Sequence, residues 1–112
     1  MDLRRLVEIQ VEFSREKFPA FWTIKDEKDL ALRLEYLTNA IAGEVGEAAN
    51  ITKKVVRSVV YGHGDLRLED VREKLEEEIT DVFIYILTIA GLLGMDLEEA
   101  YFKKLEINRR RF

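Results

Sequence analysis

Two acidic pairs, each one helical turn apart, stand out in this chain: Glu44 and Glu47 in GEVGEAANITKK, and Glu78 and Asp81 in EEEITDVFIYIL. Residues three apart on a helix project from the same side, within reach of one ligand. With Ile41 as origin and about 100° per residue, Leu34, Leu37, Ala48, Ile51, Val55 and Val59 share one apolar sector. Glu44 falls inside that sector and Glu47 at its edge. A carboxylate among apolar neighbours costs several kcal/mol unless a cation or donors compensate it. On the later segment, Glu78, Asp81 and Tyr85 form a polar stripe on a stretch that is otherwise among the most apolar in the chain, so the stripe points at something other than bulk water. Four carboxylates brought to one small volume repel one another unless a divalent cation neutralises them. Magnesium suits such a set, because it prefers hard oxygen ligands and keeps positions for water and phosphate; manganese is the expected substitute. A di-iron site would need Glu-x-x-His, and the single histidine, His63, falls in a predicted loop. One Glu-x-x-Glu pair in so charged a chain would read as a solvated helix face. Two pairs, one inside an apolar stripe and one on a buried helix, call for a ligand.

The elements that must hold these residues are all helical. Apolar positions Leu3, Leu6, Val7, Ile9 and Phe13 predict a first helix over about Leu3 to Lys17, interrupted at Pro19. A second, long helix runs from about Asp29 to roughly Val59, and the glycines of YGHGD predict a loop over Tyr61 to Asp65. A third helix begins near Leu68 and becomes apolar on nearly every face through VFIYILTIAGLL, so its second half is expected to be buried. Gly94 should end it, and Asp96 followed by Glu99 resembles a capping box opening a fourth helix to about Asn108. The reading is one all-α domain over residues 1 to 112, whose long helices form a four-helix bundle on oligomerisation, as a homodimer or homotetramer.

Composition narrows the function classes. The chain has 18 Lys plus Arg against 22 Asp plus Glu, a net charge of -4, which disfavours non-specific nucleic-acid binding. It has no cysteine, which removes disulfides, thiolate metal sites and a thiol nucleophile. The opening MDLRRLVEIQVEF lacks the apolar core of a secretory signal, and the uncharged stretch from Val82 to Met95 is shorter than the ~20 residues needed to span a bilayer. No membrane partner and a cytoplasmic location are expected.

Taken together, GEVGEAANITKK, EEEITDVFIYIL and the closing KKLEINRRRF resemble, in order, the motifs of the MazG-like all-α nucleoside triphosphate pyrophosphohydrolase superfamily. The connection between Glu47 and Glu78 is longer than that family's usual one, and the terminal aromatic Phe112 lacks the proline often seen after it. The resemblance implies magnesium ligation by Glu44, Glu47, Glu78 and Asp81. It implies triphosphate or sugar contacts from Lys104, Asn108 and Arg111, with Tyr85 near the sugar and Lys53 or Lys54 reaching a phosphate in the same or a partner chain. Glu47 is the expected base for the attacking water. Trp22 is the expected base-stacking residue, against a core or interface role for Phe13, Phe18 and Phe21. The expected reaction is Mg-dependent cleavage of a (deoxy)nucleoside triphosphate to monophosphate and pyrophosphate in nucleotide-pool house-cleaning. A phosphoribosyl-ATP pyrophosphohydrolase and a non-catalytic, metal-stabilised dimerisation module remain alternatives.

Overall fold

The structure, a computed structural model, describes residues 1–112. It contains α1 (Leu3–Lys17), a 3-10 turn (Pro19–Trp22), α2 (Glu27–Val59), α3 (Leu68–Leu93) and α4 (Leu97–Arg111), with no strand. The fold is all-α, as expected. The chain divides into two units, Met1–Leu34 with Ile86–Phe112, and Glu35–Tyr85.

In the first unit, local chemistry sets each boundary. Asp2 caps α1 by accepting the Arg5 amide at 2.9 Å, and Asp96 caps α4 by accepting that of Glu99 at 3.0 Å. Between α3 and α4, Gly94 adopts φ +62°. The Met95 amide then reaches the Ala90 carbonyl at 3.0 Å and that of Gly94 reaches Gly91 at 3.4 Å, the left-handed ending that glycine permits. The fourth helix extends past Asn108 to Arg111, because Arg109, Arg110 and Arg111 in its last turn complement the negative end of the helix dipole.

The segment broken by Pro19 forms a 3-10 turn instead of an irregular link, and it is anchored to both helices beside it. The Trp22 indole N–H donates to Ser14 Oγ at 2.8 Å, and Arg33 Nε donates to the Phe21 carbonyl at 2.8 Å. Where α3 meets this corner it needs a glycine. A Cβ on Gly91 would collide with the Val11 side chain and touch the Trp22 ring at 3.5 Å. Val11 is β-branched and stiff in a helix, so it cannot swing aside at low cost. Gly91→Ala should therefore lower stability by about 1–3 kcal/mol despite alanine's better helix propensity, read by thermal or urea unfolding.

The apolar half of α3 is only partly covered. Leu87, Thr88 and Ala90 are buried, whereas Phe83 and Leu93 stay exposed, at 38% and 49%. Leu37 is the one buried apolar residue of the second unit. The burial expected for the second half of α3 is thus met only in part. No single helix is long and apolar enough to cross a membrane.

Candidate metal centre

Three of the four sequence-predicted carboxylates converge. Glu44 and Glu47 of α2 and Glu78 of α3 bring one ligand oxygen each within 4.8 Å of one another, all inside the second unit. Around them, Leu37 is buried and Ile41, Ala48, Ile51 and Val55 are half-buried, so the apolar stripe of α2 turns Glu44 inward and leaves Glu47 at the exposed edge. Glu78 is 2% exposed. Asp81, one turn further along α3, is half-buried beside this trio and outside it.

The electrostatics follow from that crowding. Lys74 Nζ pairs with Glu78 Oε1 at 3.0 Å and with Glu77 at 3.7 Å. Glu78 Oε2 is buried and receives no donor. Glu44 is pushed up to about 7, first by its hydrogen bond to Glu78, then by burial and by the charges of Glu78, Glu47 and Asp81. Glu47 is raised for the same leading reason. Glu78 is lowered, first by the donor that a protonated Glu44 would offer it and then by Lys74. Either a proton donated by Glu44 or a cation must therefore satisfy the Glu78 carboxylate. A buried carboxylate oxygen without a donor, facing two further carboxylates, suits a hard divalent ion that accepts oxygen ligands. The residues present fit magnesium or manganese.

The chain is similar to dCTP pyrophosphatase 1. It is 37% identical over 73 residues to the Homo sapiens protein of that name, and 33% identical over 73 residues to those of Mus musculus and Rattus norvegicus. In each case the match covers 65% of this chain and 42% of the relative, so the chain spans about two fifths of the curated relatives it matches. No family model and no solved structure matches.

The other sequence-predicted site residues divide between the two units. Tyr85 shares the second unit with the carboxylates; it is half-buried, and burial leads a rise in its pKa to which Tyr36, Glu44 and Asp81 add. Lys53 and Lys54 lie exposed on the same unit's α2. Trp22, Lys104, Asn108 and Arg111 belong to the first unit. There the Trp22 ring is half-buried, with the Arg15 guanidinium 5.1 Å from its centre, and Arg111 lies over the Phe112 ring at 5.3 Å. Sequence reasoning missed Lys74. Its spacing of four residues before Glu78 was the available signal, since such pairs meet on one helix face.

Proposed function

We propose that this protein hydrolyses nucleoside triphosphates to a monophosphate and pyrophosphate with the help of magnesium held by Glu44, Glu47, Glu78 and Asp81. The observation that carries the reading is the buried, donor-less Glu78 oxygen within a three-carboxylate cluster. The similarity to proteins named dCTP pyrophosphatase supports the reaction class and makes deoxycytidine triphosphate the first substrate to try. When bound, the ion supplies charge neutralisation of the phosphate oxygens.

The chain's own groups do the rest. Glu47, exposed at the rim with a raised pKa, orients the attacking water and takes its proton as the water oxygen bonds to the α-phosphorus. The bond from that phosphorus to the bridging oxygen breaks, and pyrophosphate leaves with the electron pair. Lys54 lies seven residues beyond Glu47, about 20° off the same line on α2, and is the better placed of the two lysines to hold a phosphate running away from the carboxylates. Lys104, Asn108 and Arg111 bind the triphosphate or sugar, Tyr85 faces the sugar, and Trp22 stacks on the base. Exposed Phe83 and Leu93 favour a homodimer or homotetramer in which a partner completes the helical bundle.

The test is incubation of the purified chain with magnesium and a panel of ribo- and deoxynucleoside triphosphates, followed by product separation. Monophosphate with stoichiometric pyrophosphate is the expected result. Release of inorganic phosphate in place of pyrophosphate would overturn the assigned bond cleavage. Absence of turnover across the panel would direct the assay to phosphoribosyl-ATP, and absence of turnover there too, with retained metal-dependent stabilisation, would select the non-catalytic dimerisation module.

A further inference from the structure

A concave surface lies on α2, turned away from the carboxylates. It is a groove of about 600 Å³ at the C-terminal end of the helix, within the size range of small-molecule sites. Ala49, Thr52 and Val56 give it an apolar lining with one hydroxyl. Lys53, Arg57 and His63 bring three nitrogen-bearing side chains to it, and Tyr61 adds an exposed ring. Lys53 is nine residues from Glu44, about 180° around the helix, so the groove and the metal centre occupy different faces.

Three features give this groove a ligand preference. No carboxylate lines it, and neither Lys53 nor Arg57 takes part in an ion pair, in a chain whose net charge is -4. Its far wall is fixed: the amides of Tyr61, Gly62 and His63 donate to the carbonyls of Val56, Ser58 and Arg57 at 3.3, 3.1 and 3.0 Å, with Gly62 at φ +71°. Those bonds also cover three of the helix's last four carbonyls, which would otherwise present the negative end of the helix to an anion. An apolar lining beside an aromatic ring accepts a planar base, and cations at the rim accept a phosphate.

We infer that this groove binds a nucleoside monophosphate, its phosphate on Arg57 and Lys53 and its base against Tyr61, Val56 and Ala49. Binding here does not require the metal centre. It therefore gives the protein a place to sense the product class of its proposed reaction, and stands or falls separately from that reaction.

The experiment titrates dCMP into the whole, isotope-labelled protein in the presence of EDTA, following the amides of Thr52, Gly62 and His63 by NMR. Saturable shifts at those positions are expected. Arg57→Ala should weaken binding by at least about tenfold through loss of a charge-assisted hydrogen bond, and Glu47→Gln should leave it within about twofold. Deoxycytidine and inorganic phosphate, the two halves of the probe, should each bind at least about tenfold more weakly than dCMP. The inference is overturned if millimolar dCMP shifts none of these amides, if Arg57→Ala binds as well as the parent, if Glu47→Gln loses binding to the same degree, or if inorganic phosphate matches dCMP.

Discussion

Glu78→Gln should produce a protein whose stability no longer responds to magnesium and which is nearly inactive with it. The substitution keeps the shape of the side chain and its place on α3, but removes the charge whose Oε2 finds no donor. An amide there can donate to Glu44 or Glu47 while its oxygen still accepts from Lys74, which keeps the metal-free cluster hydrogen-bonded. With one of the three converging proposed ligands neutralised, the magnesium-induced rise in melting temperature should disappear, and turnover should fall by at least about a hundredfold, since the proposed reaction asks the ion for several kcal/mol of charge stabilisation. Melting curves with EDTA and with magnesium, beside a single-substrate assay, check both halves. A variant that still gains stability from magnesium as the parent does would remove Glu78 from the ligand set.

The second large effect is a competition between protons and metal. Without metal, Glu44 titrates near 7 and Glu47 is raised above its ordinary 4.5, so between about 4.5 and 7 the folded chain holds more protons than the unfolded one. The stability this confers is fully present below about 4.5 and is lost as pH rises through about 7. Glu78 acts in the opposite sense: its contribution is present above its ordinary 4.5 and is lost only as pH falls through its lowered value, outside this window. Melting temperature in EDTA should therefore decline from pH 5 toward about 7.5. Magnesium requires the ionised set, so its affinity should rise roughly tenfold per pH unit below about 7 for one displaced proton, and then level off. Calorimetric titrations in buffers of different ionisation heat would count that proton. Affinity flat from pH 5.5 to 8 would show that no proton leaves.

The fold was legible where a single residue decides a boundary. Pro19 ends the α1 segment, Gly94 takes the left-handed conformation that closes α3, and Asp96 caps α4, all chemistry that acts within a few residues. Placement of Glu44 in the apolar stripe was legible for a related reason, because helical period alone fixes it. What periodicity does not carry is the distance across to a second helix. It grouped Asp81 with the other three carboxylates, whereas the structure draws Glu44, Glu47 and Glu78 together and leaves Asp81 beside them. Nor did it anticipate Lys74, whose pairing with Glu78 depends on which glutamate of a long acidic run turns inward. The partial exposure of α3 was hidden too, since an apolar pattern states a need for neighbours without saying which chain supplies them.

The three converging carboxylates come from two successive helices joined by one turn. Assembling them requires the closure of a single helix–turn–helix loop, whereas the Arg4 to Asp96 bridge joins residues 92 apart in sequence. Closure entropy grows with the chain enclosed, and short-range contacts form soonest. The order of events during synthesis follows from that: a ribosome that has released residue 81 has already delivered every proposed ligand, before the segment that becomes α4 has emerged.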